Sequence, residues 1–187
     1  MLTREEAYSL LRQYLRDDKL IKHCIAVEAI MRRLATRLNE DAELWGLIGL
    51  LHDIDYDITN RDLKRHGLEA LKILSGKLPQ IALEAIAAHN ENNGFVPSME
   101  ESKRIAIALR AADHVSGLII ATALVMPHKR IDEIKLSTLK RKFKSKDFAK
   151  SVSRERIQKI EELGITLDEF LQLALEALKG IAKELGL

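Results

Sequence analysis

Eight consecutive residues, Leu44-Trp45-Gly46-Leu47-Ile48-Gly49-Leu50-Leu51, carry no charged side chain, and the next two are His52 and Asp53. A helix built on this run is apolar nearly all round, which places it in the interior. It therefore delivers an imidazole and a carboxylate to a buried position. Burying such groups is costly unless something compensates them, and a divalent cation does so directly. The rest of the chain holds further ligands of the same kinds: His23 upstream, then His66, His89 and Asp113 downstream, each on a segment that reads as helix.

The periodicity around these residues is helical throughout. Thr3-Arg4-Glu5-Glu6 reads as a capping box for a first helix with Ala7, Leu10, Leu11, Tyr14 and Leu15 inward. Asp17-Asp18 opens a second, to about Leu38, whose inward row Leu20, His23, Val27, Ile30, Leu34 sets His23 among core positions. The third, central helix runs from about Asp41 to Asp53. Asn60 is read as the cap of a fourth that reaches Leu74 before Ser75-Gly76, and Pro79 as the start of a fifth that ends at His89. Ser98-Met99-Glu100-Glu101 reads as a second capping box, opening a long helix to about Val125 in which Asp113 has the small neighbours Ala111, Ala112 and Gly117. His128 to Ser153 is basic and expected to be irregular with short helical pieces. Two closing helices, about Ser153 to Leu163 and Leu167 to Leu185, are separated by Gly164, with Thr166 and Glu169 capping the second. No segment has strand periodicity. The expectation is an all-α bundle in one domain, 1–187, with the metal-site region at about 20–126 and a basic segment and helical extension at 127–187.

Composition narrows the function classes. Thirty basic against 28 acidic side chains leave a net charge of +2, too balanced to argue for a specific nucleic-acid partner or a membrane surface. The single Cys24 excludes an intramolecular disulfide and a multi-cysteine zinc site. The charged start Met1-Leu2-Thr3-Arg4-Glu5-Glu6 has no signal-peptide core and the apolar runs are short, so a cytoplasmic location is expected. The apolar faces of the last helices either close the core or join a second subunit in a homodimer.

Imidazole with carboxylate suits Mn, Fe, Co, Ni and Zn, whereas Mg alone prefers an all-oxygen shell. Six ligands exceed what one octahedral ion with open positions needs, which points to two ions. Held about 3.5–4 Å apart with Asp53 as the bridge, they would activate a hydroxide and hold the leaving oxygen of a phosphoester.

The order His23, His52-Asp53, His66, His89, Asp113 resembles the HD-domain superfamily of metal-dependent phosphohydrolases over roughly Leu20 to Leu118. By that resemblance His23, His52, Asp53 and Asp113 match the shared metal site, with His52 and Asp53 as its catalytic pair. His66 and His89 match the extra histidines of the two-metal branch. The resemblance implies a divalent transition-metal cofactor and hydrolysis of a small, nucleotide-like phosphoester by metal-activated hydroxide. It leaves two other outcomes open: a di-iron oxygenase on the same fold, and a non-catalytic module that senses a nucleotide. In the cyclic-dinucleotide branch Ile-Gly-Lys follows the pair, but here Ile54-Asp55-Tyr56 stands there, so cyclic-di-GMP hydrolysis gains no support.

Three residues are candidates for substrate contact. Arg65 lies just before His66, Asn90 lies beside His89, and Lys142 lies within the basic run Lys140 to Lys146, which reads first as a solvated face but could fold over the site and hold phosphate groups. Asp55 and Asp57 read as loop residues, with Asp55 able to orient a ligand. His114 is assigned to the surface or behind the ligands, His128 to the surface, and Cys24 and Trp45 to the core.

Overall fold

Caps and breakers divide the chain into ten α-helices in a computed structural model that describes residues 1–187: α1 (Arg4–Tyr14), α2 (Asp18–Leu38), α3 (Ala42–Leu51), α4 (Leu68–Leu74), α5 (Gln80–His89), α6 (Glu100–Leu124), α7 (Leu136–Lys144), α8 (Arg154–Gln158), α9 (Leu167–Gly180) and α10 (Ala182–Leu185). There is no strand, so the class is all-α, as expected. Thr3 and Glu6 form the expected capping box at α1, Asp17 and Asp41 cap α2 and α3, and Thr166 accepts the Glu169 amide at α9. Asn39 ends α2 in the left-handed conformation, with φ 59°, a shape Asn tolerates better than most residues.

The core is one cluster of 49 buried apolar residues that runs from Ala7 to Leu185, so the closing helices share it with the metal-site region. All eight residues from Leu44 to Leu51 are buried. Helix α3 lies against α2 so closely that a Cβ on Gly49 would come within 2.9 Å of the Glu28 Cα and the Val27 carbonyl. Glycine there sets the helix separation. Helix α6 is long and apolar enough to span a membrane by length and composition, but most of that stretch is buried within the bundle; it packs against α2, α5, α7, α8 and α9.

Four boundaries differ from the sequence expectation. Asn60 does not open a helix: residues 52–67 form successive turns, Asn60 and Arg61 both have positive φ, and α4 begins only at Leu68. The turns are held by bonds such as Tyr56 N–H to the Asp53 carbonyl and by burial of Asp55. Ser98 does not cap α6. Its hydroxyl and amide, with the Met99 amide, donate to the buried Glu84 carboxylate, which caps that helix from α5. The basic segment has the expected short helical pieces, the nine-residue α7 and a 3₁₀ turn at Ile131–Glu133, whereas a second 3₁₀ turn, Lys159–Leu163, falls within the expected first closing helix. Helix α8 is only five residues long before it tightens into the second of these turns, and the expected last helix, Leu167 to Leu185, breaks at Ile181 into α9 and α10.

Candidate metal centre

Helix periodicity brings one ligand from each of several elements to a single cleft. His23 comes from the second turn of α2, Asp113 from the middle of α6 and His89 from the last position of α5. His52 and Asp53 follow the end of α3, where the chain leaves the helix and adjacent side chains can turn to one point. His66 sits at the close of the turn segment, just before Gly67, whose φ of 88° lets the backbone bend into α4.

The six predicted ligands do converge. Asp53 stands at the centre: its Oδ1 lies 3.2 Å from His66 Nε2, 3.4 Å from His52 Nε2 and 3.7 Å from His89 Nε2, while its Oδ2 lies 3.8 Å from His23 Nε2. His23 Nε2 is in turn 3.1 Å from Asp113 Oδ1. Two overlapping triads, His23/His52/Asp113 and His52/Asp53/His89, each offer one ligand atom per residue within 4.8 Å of one another.

Every one of the four imidazoles has its Nδ1 next to an oxygen acceptor. His52 donates to the Gly49 carbonyl at 2.8 Å, His89 to the Ile86 carbonyl, and His66 to Asp55 Oδ1 at 2.7 Å. His23 Nδ1 lies 3.3 Å from Ser116 Oγ, whose own proton goes to the Asp113 carbonyl. With the ring proton held on Nδ1, all four Nε2 lone pairs point inward, as metal ligation requires. Asp55 anchors this arrangement from behind: it is fully buried, and its Oδ2 also accepts the Gly67 and Ala70 amides at 2.8 and 2.9 Å.

This donor set fits a cation. His52 Nε2 is buried with no hydrogen-bond partner, a condition that native interiors avoid. His66 and His89 bring their Nε2 atoms to 3.0 Å, and with both Nδ1 protons already committed two lone pairs would face each other. A cation among the three rings removes both conflicts, whereas a proton on His66 Nε2 relieves only the second and leaves His52 Nε2 without a partner. The electrostatics agree. Burial opposes charge on His66, but the Asp53 and Asp55 carboxylates outweigh it and raise its pKa to about 9. Burial also lowers His52, to about 4, so it remains a neutral donor. Burial disfavours ionised Asp53 and Asp113, yet the surrounding imidazoles hold both below the usual carboxylate range. Both stay anionic and able to ligate.

The cleft enclosing these groups has a volume of about 600 Å³. Leu20, Tyr56 and Leu63 give it an apolar side, and Ser151, His114 and Arg156 close it on another. Of the three expected substrate residues, only Asn90 lines it. Its polar atoms are already used: the amide donates to the Leu63 and His66 carbonyls, and the oxygen accepts from Asn92. Asn90 therefore holds the His66 loop. Arg65 lies outside the cleft, paired with Glu69 one turn on, and the Lys142 ammonium sits over the Phe148 ring at 4.3 Å. Of the two places expected for His114, it takes the one next to the ligands, lining the cleft beside Asp113.

The sequence reading missed the contribution of the extension. Arg154 donates to six backbone carbonyls, those of Lys142, Phe143, Ser145, Phe148, Ala149 and Val152, and thereby folds the basic loop against α6. That loop presents Ser151 to the cleft. A signal was present in Ser153-Arg154-Glu155-Arg156, because two arginines in a first helical turn run against the helix dipole and call for another use.

The HD domain family profile matches residues 20–118, and the chain belongs to this family. The family consists mostly of metal-dependent hydrolases that bind divalent metals, and the matched span contains all six candidate ligand residues. No curated protein and no solved structure matches the chain.

Proposed function

We propose that this protein is a phosphohydrolase that uses two divalent transition-metal ions, of Mn, Fe, Co, Ni or Zn, to cleave a phosphoester of a small, nucleotide-like metabolite. The observation that carries the reading is the position of Asp53, one oxygen turned to His52, His66 and His89 and the other to His23. A carboxylate so placed can bridge two ions. His66 and His89 would hold one with Asp53, His23 and Asp113 the other, and His52 lies between the two sets. When bound, such ions polarise phosphoryl oxygens and lower the pKa of water.

The chain's own groups do the rest. Ser116, Gly49, Asp55 and Ile86 fix the imidazole tautomers, which makes the ligands rigid and basic. Tyr56 and Leu63 form an apolar wall suited to the organic part of a substrate, and a cleft of this volume has room for a nucleoside-sized group. A screen of phosphomonoesters and phosphodiesters with protein reloaded by each cation tests the reading. Release of phosphate or a nucleotide that depends on added metal is expected. Oxygen consumption with an iron-specific requirement would instead favour an oxygenase, and tight nucleotide binding without product under every metal a sensing module.

A further inference from the structure

The carboxylates and imidazoles at the floor of the cleft can hold cations, but a phosphorylated substrate also needs positive charge from the protein. Among the thirteen lining residues Arg156 is the one lysine or arginine. It lies on α8, outside the span matched by the family profile, and reaches back over the mouth. Its Nη2 pairs with Glu91 Oε2 at 2.9 Å, just beyond the end of α5, and its Nη1 lies 3.1 Å from His114 Nε2, next to Asp113. The guanidinium therefore spans the two sides of the opening, with its side chain 32% exposed.

Two features leave this charge available. Arg110 Nη1 also approaches Glu91, at 3.5 Å, so the carboxylate that pairs Arg156 is shared with a second guanidinium. The contact with His114 is incomplete as well. The Ser153 amide donates to His114 Nδ1 at 3.1 Å. An imidazole accepts at most one hydrogen bond, so it cannot also accept from Arg156 at Nε2. The Ser153 amide has no other acceptor, so His114 carries its proton on Nε2 and offers the adjacent Arg156 Nη1–H no acceptor on the cleft wall.

We propose that Arg156 binds the phosphate of the substrate, exchanging its resting pair with Glu91 for the phosphoryl oxygens, so that the C-terminal extension completes the site. The assignment rests on the phosphoester reading above. A single guanidinium suits one phosphoryl group; a triphosphate would call for several basic side chains. The substrate class is accordingly a compound with one phosphate.

The test is calorimetric titration of inorganic phosphate into the full-length, Mn-loaded protein as wild type, Arg156→Ala, Arg156→Lys and Glu91→Gln. Loss of a charged, partly desolvated hydrogen-bonding partner predicts phosphate binding about tenfold or more weaker in Arg156→Ala, with Arg156→Lys intermediate. Glu91→Gln frees the guanidinium and is expected to bind phosphate as well as or more tightly than wild type. If Arg156 were only a strut, both Arg156→Ala and Glu91→Gln would weaken binding alike, and the proposal would fall. Wild-type binding matched by Arg156→Ala would overturn this assignment and leave the phosphoester reading standing. Absence of both phosphate binding and phosphoester hydrolysis in the wild type would overturn both.

Discussion

Asp55→Asn separates the role of a metal ligand from that of the group behind it. The carboxylate accepts three hydrogen bonds, from His66 Nδ1–H at one oxygen and from the Gly67 and Ala70 amides at the other. Asparagine keeps only one oxygen. With that oxygen toward the two backbone amides, its NH₂ faces His66 Nδ1, and the ring relieves the conflict by carrying its proton on Nε2 instead. His66 then presents an N–H where a lone pair is needed. A charge-assisted bond is exchanged for a neutral one, which costs about 1–2 kcal/mol of stability. Metal affinity should fall about 10–100-fold, the usual effect of losing such a partner. Titration with Mn, urea denaturation and the ¹⁵N spectrum of the histidines measure these effects together. A variant that binds metal as tightly as wild type, with His66 still protonated at Nδ1, would refute the reasoning.

Two further outcomes follow from the packing and the charges. Gly49→Ala places a methyl against the α2 backbone at 2.9 Å and should destabilise the fold by about 1–3 kcal/mol, measured by urea denaturation, and loosen metal binding because the Gly49 carbonyl orients His52. In protein stripped of metal, stability should peak near pH 6.5 in a denaturation series. His66, raised from 6.5 to about 9, contributes stability that is complete below the unfolded value and is lost as pH rises through about 9. His52, lowered from 6.5 to about 4, resists protonation that the unfolded chain accepts, so stability also declines as pH falls from 6.5 toward 4. Each limb amounts to at most about 3 kcal/mol, and a flat profile from pH 5 to 9 would contradict both assignments.

The centre was legible because its ligands lie on apolar stripes. His23, His89 and Asp113 each lie on a helix whose buried face is marked by spacing, and the run before His52 could only be interior. What the sequence hid depends on tertiary hydrogen bonds. Asp55 looks like any loop carboxylate until the turns of residues 52–67 bury it behind His66. Ser98 resembles a cap, yet Glu84, distant in sequence, does the capping. The basic run around Lys142 attracted attention by charge density, whereas Arg156 reaches the cleft because Arg154 gathers six carbonyls and sets the loop before it. Charge density marks solvation; placement comes from where backbone acceptors are left over.

The most direct measurement is the metal content and phosphoester turnover of wild-type protein and Asp53→Ala, taken side by side on the same preparations. Two equivalents of transition metal per chain with metal-dependent product release are expected for the wild type, and neither for the variant. Full turnover by metal-free protein, or a variant that keeps both its ions and its activity, would contradict the account.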